Sequence, residues 1–262
     1  MRLLAGLLLA GCATVPITGR NQMALIPAQQ VLSLGSQSYD KMLKNEKVLQ
    51  GTKEAAMVEQ VGRRVEHAVE RYFTQRGMSN RLAGYKWAFN LVESKDRNAA
   101  CYPGGKVVVF SGLLPTTRDE AGLAAVLGHE IAHAVANHGN ERMSQELLVK
   151  MGSTVLASSL SSLSPGQSEL FNSAFGLGAK YGALLPFSRL HEEEADRLGT
   201  IFMAMAGYDP REAIGLWERM NTAEGNGSKN MEWLSTHPLP TSRIQNLRRV
   251  IPEAMRYYQT HE

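Results

Sequence analysis

Apolar residues recur at helical spacing along most of the chain. Between Ala28 and Leu43 they fall at Val31, Leu34, Tyr39, Met42 and Leu43, and between Lys53 and Arg76 at Ala56, Val61, Val65, Ala68, Val69 and Tyr72. Each set lines one side of a rod with about 3.6 residues per turn, so each stretch is expected as a helix packing by one face. The period then changes. Tyr85 to Val92 mixes aromatic and β-branched residues, and Lys106 to Phe110 is a compact apolar run behind the turn signal Pro103-Gly104-Gly105. A small sheet is expected there. From Asp119 to His138 a denser helical pattern returns, with Leu123, Ala124, Val126, Leu127, Ile131, Ala134 and Val135 as its apolar positions. Asp119 and Glu120 suit the positive end of a helix, and His138 and Arg142 its far end. Later helices are expected at 141–163, 167–181, 186–205, 209–222 and from 241 to about 250, with Ser164-Pro165-Gly166 and residues 223–230 as breaks. The chain is therefore expected to be α+β and mainly helical, with one small antiparallel or mixed sheet beside the helix at 119–138.

That helix carries chemistry. It contains His129-Glu130-Ile131-Ala132-His133, and residues four apart on a helix differ by about 40° around its axis, so both imidazoles can reach one cation. Zn²⁺ suits a pair of neutral imidazole nitrogens. Glu130 lies about 100° from His129, close enough to touch a water at the metal without being a ligand. Such water has its pKa lowered toward about 7, and a neighbouring carboxylate can take its proton as it attacks a polarised carbonyl. The pattern is that of a peptide-hydrolysing site.

Composition adds limits. At 262 residues, with 44% hydrophobic and 20% charged residues, the chain is long enough for one well-filled domain. A formal charge of +3, with Lys and Arg dispersed, gives nucleic-acid binding no support. No apolar run reaches about 18 residues, which argues against a transmembrane helix. The start of the chain differs in kind. Arg2 is followed by apolar Leu3 to Ala10 and then by Gly11-Cys12, which resembles a bacterial lipoprotein signal peptide cut before a lipidated Cys12. With Ala at position 13, the resemblance implies an outer-membrane lipoprotein facing the periplasm of a Gram-negative cell. Residues 1–11 are thus expected as signal, 12–27 as a lipidated tether lying on the body and 28–262 as the catalytic domain. Cys101 would be left alone and is expected as a buried, inert thiol.

Two histidines do not complete a zinc site. A third histidine at metzincin spacing is absent, since Gly139 and Ala136 hold the positions it and its glycine would need. His138 is one residue off, and a structural role is expected for it; for His67 a structural or surface role is expected. A carboxylate is therefore preferred. Glu192-Glu193-Glu194-Ala195-Asp196 offers several, with Glu192 and Asp196 on one helix face. One of these two can bind zinc while the other accepts the free N–H of a zinc-bound imidazole. Glu193 and Glu194 fit a solvated face.

Four motifs in order resemble the HtpX, Oma-type and CAAX prenyl protease family of zinc metalloendopeptidases. They are His129 to His133, Glu192 with Asp196-Arg197-Leu198-Gly199, Asn98 to Gly112, and Thr236-His237-Pro238 with Arg243. Within that family the sequence is most similar to periplasmic lipoprotein proteases of the LoiP kind. The resemblance implies a gluzincin-type fold with one Zn²⁺ per chain held by His129, His133 and Glu192. It implies Glu130 as base, Asp196 and Arg243 behind the ligands, and His237 either as an extra ligand in a latent state or as a stabiliser of the oxyanion. Ala100 and Tyr102 depart from the family pattern. Misfolded or unassembled envelope proteins, held as an extended strand against the sheet, are the expected substrates. The envelope assembly machinery is a candidate partner. The competing reading is an assembly factor or chaperone in which zinc is a structural or latent clamp.

Overall fold

In the computed structural model, residues 12–15, 18–151, 188–225, 237 and 243–258 are described. The most deeply set element is the helix α4, Glu120–Val135, whose residues from Gly122 to Val135 are all buried. A helix apolar on every side needs cover on every side, and the remaining elements supply it. The chain runs through strands β1, Cys12–Thr14, and β2, Asn21–Met23, then helix α1, Ala28–Asn45, strand β3, Val48–Leu49, and helix α2, Lys53–Gln75. Strands β4, Ala88–Val92, β5, Ala99–Tyr102, and β6, Lys106–Phe110, lead through a short helix α3, Leu114–Thr117, into α4. After α4 come α5, His138–Met151, α6, Arg189–Met205, α7, Glu212–Gly225, and α8, Arg243–Tyr258.

The sheet is mixed, in the order β3-β4-β6-β5, with β4 and β6 parallel and the outer pairs antiparallel. Its two faces explain the unbroken apolar run at Lys106 to Phe110. Val107 and Val109 point into a core shared with α2, α4, α6 and α7, whereas Val108 and Phe110 join a second cluster under α1. Alternate residues thus enter different cores, and no polar position interrupts the strand. The tight β5–β6 turn uses Gly104 and Gly105 at φ +89 and +79, backbone that L side chains avoid. Strand β5 went unread in the sequence, since Ala-Ala-Cys-Tyr is buried at all four positions and shows neither alternation nor β-branching.

Several features differ from expectation. The helix at 119–138 stops at Val135, because Asn137 adopts φ 61, and α5 starts afresh at His138. The helix expected from 209 begins at Glu212, with Asp209 accepting from the Arg211 amide. The last helix runs past Pro252 to Tyr258. Proline removes one backbone bond there, but Arg197 pairs with Glu253 at 2.9 Å and Ala254 is buried, so tertiary contacts hold the far half. Finally, the described part of the segment at 12–27, expected as a tether lying on the body, forms a hairpin that packs on it. β1 and β2 pair as a hairpin, Val15 is buried, and Ile26 exchanges hydrogen bonds with Asn140 of α5. Cys12 lies opposite Met23 in that hairpin. The expected signal, residues 1–11, and the expected helix at 167–181 lie outside the described residues. Among the described residues, no helix is long and apolar enough to cross a membrane.

Candidate metal centre

Helix α4 is fixed at its start by Asp119, whose carboxylate accepts from the Gly122 amide at 2.9 Å. The helix α6 is fixed likewise by Ser188, which accepts from the His191 amide. The two helices touch backbone to backbone. A Cβ on Gly128 would lie 2.6 Å from the Gly199 carbonyl oxygen, and one on Gly199 would lie 2.6 Å from the His129 amide nitrogen. Only glycine at both positions allows this approach, and it sets Glu192 and Asp196 of α6 against His129 and His133 of α4.

The side chains converge. His129 Nε2 and His133 Nε2 are 3.1 Å apart, and Glu192 Oε1 is 3.4 Å from His133 Nε2 while its Oε2 is 3.5 Å from His129 Nε2. His237 Nδ1 lies 3.3 Å from His129 Nε2 and 3.0 Å from Glu192 Oε1. These four residues are buried, and their donor atoms lie within 4.8 Å of one another. The set fits zinc on geometry, because four ligand atoms about 2.0–2.1 Å from a tetrahedral ion stand about 3.3–3.4 Å apart. It fits on charge as well. Buried Glu130, Glu192 and Asp196 face buried Arg243, a concentration of carboxylates that a divalent cation would help to offset. Burial pushes the imidazoles of His129 and His133 well below the usual histidine range, so both offer the neutral nitrogen a metal requires. Burial alone would raise the Glu192 carboxyl, but His237, Arg243 and His133 outweigh it and hold it well below the carboxylate range. Glu130 Oε1 stands 3.6 Å from His237 Nε2, beside the group.

Behind the donors lie two supports. Asp196 Oδ1 is 3.0 Å from His129 Nδ1, and Arg243 grips both Asp196 oxygens at 2.7 and 2.8 Å while its Nη1 faces Glu192 Oε2 at 3.0 Å. The guanidinium rests on the Trp217 ring, 3.8 Å from its centroid. Burial pushes Asp196 up to about 6 against the pull of Arg243. The second support stands behind His133, whose Nδ1 is 3.0 Å from His138 Nδ1, while His138 Nε2 faces Glu194 Oε2 at 3.3 Å. Glu194 is therefore not on a solvated face, as its sequence position suggested. It is 4% exposed and is held by Thr18 and Arg20. Glu193 is exposed, as expected, and so is His67.

Trp217 and Arg20 were not singled out from the sequence. Trp217 sits among the apolar positions of α7 like any core residue, and Arg20 follows Thr18-Gly19 in a segment that reads as loop, so neither carries a signal of its own. Cys101 is the buried thiol expected, and burial pushes it well above its usual range.

The chain matches the profile of peptidase family M48 over residues 59–251. It is 42% identical over 190 residues to the mitochondrial metalloendopeptidase OMA1 of Schizosaccharomyces pombe, covering 72% of this chain and 53% of that protein. It is 30% identical over 245 residues to the human mitochondrial metalloendopeptidase OMA1, covering 92% of this chain and 46% of that protein. The β-barrel assembly-enhancing protease of Yersinia pestis is 33% identical over 162 residues, covering 61% of this chain and 33% of that protein. The chain thus spans from a third to about half the length of these relatives. Their names correct one expectation. The Schizosaccharomyces pombe and human relatives are mitochondrial by name, which goes against the expected place on the periplasmic side of a Gram-negative outer membrane. The physical reason for the error is that a short apolar leader is an address read by outside machinery, and the residues of a globular domain do not encode it.

Proposed function

The chain belongs to peptidase family M48, and from that premise we propose that it is a zinc-dependent metalloendopeptidase in which His129, His133 and Glu192 hold the metal and Glu130 is the general base. The observation that carries this reading is the meeting of two imidazole nitrogens and the Glu192 carboxylate at tetrahedral spacing with Glu130 alongside. Bound there, zinc supplies Lewis acidity that polarises a peptide carbonyl and acidifies water. Glu130 takes the proton of the attacking water and returns it to the leaving amine. Asp196 fixes the His129 ring by accepting from Nδ1, which leaves Nε2 free to coordinate. Arg243 neutralises Asp196 and Glu192 and keeps both ionised in a buried site.

Misfolded or unassembled polypeptides are the proposed substrates, bound extended along β5. That strand ends the sheet order and packs beside α4, so main-chain pairing on its outer side would capture a peptide without reading its sequence. His237 bears on regulation. With its ligand atom among the four that could hold a metal ion, His237 would, as a fourth donor, take the place that water needs. A set so closed would suit a latent form, or a chaperone with a zinc clamp, whereas a His237 that swings off the metal would be placed to stabilise the oxyanion.

Two experiments test these assignments. Glu130→Gln should abolish cleavage of unfolded casein, at least a hundredfold, while zinc stays near one per chain by metal analysis; full activity would remove the proposed mechanism. His237→Ala should raise casein cleavage if His237 is the latent ligand, whereas a fall would assign it to the oxyanion instead.

A further inference from the structure

The N-terminal hairpin reaches the metal centre through a line of side chains that starts half-buried at Arg20 and is buried from Glu194 inward. Arg20, in the loop between β1 and β2, donates from Nε and Nη2 to Glu194 Oε2 at 3.0 and 2.8 Å, and from Nη1 and Nη2 to the two oxygens of Glu141 at 2.8 Å each. Thr18 donates to the other Glu194 oxygen at 2.6 Å. Glu194 Oε2 faces His138 Nε2 at 3.3 Å, and His138 Nδ1 meets His133 Nδ1 at 3.0 Å. Glu141 is itself held by His191 Nε2 at 3.0 Å, and His191 stacks on His138 with ring centroids 4.5 Å apart.

We propose that Arg20 is a positioning residue for the metal centre, acting through Glu194 and His138 to set the tautomer and orientation of His133. The inference rests on His133 being a zinc ligand. A coordinating His133 Nε2 must be a bare lone pair, so its proton sits on Nδ1 and is donated to His138 Nδ1. His138 then carries its own proton on Nε2, the atom that faces Glu194 Oε2. One tautomer of each ring suits the whole line, with His138 Nε2 and Glu194 Oε2 in ion-pair contact at 3.3 Å. Arg20 and Thr18 hold the carboxylate where that line needs an acceptor, on the far side from Glu192. Without Arg20, Glu194 is a buried carboxylate stripped of its counter-charge. It would turn toward solvent, His138 would lose the acceptor at Nε2, and the tautomer with a proton on Nδ1 would clash with the proton of His133. Glu141 has the part of aiming the guanidinium, since it takes the two donors at the fork's other edge.

This arrangement gives the two ligand histidines unlike supports. His129 leans on Asp196 directly, whereas His133 leans on Glu194 through a second histidine and, at the end of the line, on a hairpin that precedes the family-matching stretch at residues 59–251. Detaching the hairpin would therefore loosen one ligand of the site while leaving the other supported.

The test is the rate of zinc release into excess chelator, with the d–d spectrum of the cobalt-substituted protein as a second readout, both well below the unfolding temperature. Arg20→Ala should speed release about 10–100-fold, the usual effect of removing a partner of a ligating histidine, and should shift the cobalt spectrum. Arg20→Lys, which keeps charge but loses the fork, should fall between Arg20→Ala and wild type. Arg81→Ala severs a hairpin contact remote from this line, the bond to Thr14, and should release zinc at the wild-type rate. If Arg20→Ala does not fold, Thr18→Val and Arg20→Lys each weaken the hold on Glu194 and must both accelerate release. Release within twofold of wild type together with an unchanged cobalt spectrum overturns the role of Arg20 alone. A wild-type protein that binds neither zinc nor tetrahedral cobalt overturns the metal assignment with it.

Discussion

Asp196 carries two duties with one carboxylate. Its Oδ1 stands 3.0 Å from His129 Nδ1, and it takes two hydrogen bonds from Arg243. An amide in its place keeps the shape but carries no charge, and its NH₂ would face a donor on one side. Asp196→Asn should therefore lower zinc affinity about 10–100-fold, measured by competition with a chromophoric chelator, with a smaller effect on the unfolding temperature of the metal-free protein. Equal affinity in the two proteins would mean that Arg243 alone orients the ring. The pairing of Glu192 with Asp196 was legible in the sequence from their four-residue spacing. Which of them meets the metal was not, because that depends on which end of α6 lies level with His129.

At the scale of elements, the centre depends on how closely α4 and α6 approach. Gly128 and Gly199 let the backbones touch, and a methyl group on Gly199 would meet the His129 amide nitrogen at 2.6 Å and the Gly128 carbonyl carbon at 2.7 Å. Neither is the end of a flexible side chain, so the helices must part. Gly199→Ala should cost at least about 1–3 kcal/mol, the range for overpacked interiors, seen in thermal or denaturant unfolding. It should also reduce zinc retention, since Glu192 and Asp196 would move away from the histidines. An alanine variant as stable as wild type and holding zinc equally well would mean that the approach is not needed. The helices themselves were legible from apolar spacing. Their ends were less so. The break at Asn137 turns His138 back toward His133, and a left-handed asparagine leaves no mark in a hydrophobic pattern.

For the molecule as a whole, the N-terminal hairpin is fastened by ion pairs to the buried faces of α5 and α6. Burial raises the Glu141 carboxyl, but Arg20 and His191 outweigh it and hold it down to about 2, against an ordinary value of 4.5. A carboxyl depressed in the folded state stabilises it fully above the unfolded value and loses that contribution as pH falls toward the folded one. The stabilisation from Glu141 should thus be complete above about pH 4.5 and vanish toward pH 2. In thermal unfolding followed by circular dichroism, Glu141→Gln should melt below wild type at pH 6, and the gap should close as the pH drops through that window. A gap independent of pH would mean that Glu141 contributes only packing.

Legible in the residues alone were the helical character of the chain, the pentapeptide that presents two imidazoles and a carboxylate on one helix, and the acidic helix proposed to supply the third ligand. These follow from periodicity, which acts over a few residues. Tertiary structure alone decided that Glu194 is buried rather than solvated, that His138 backs His133, that Trp217 carries Arg243, and that Arg20 reaches the centre from the far end of the chain. Each of those contacts joins residues from separate elements. Their partners are chosen by how the helices pack, and the spacing along one strand of sequence contains no record of that choice.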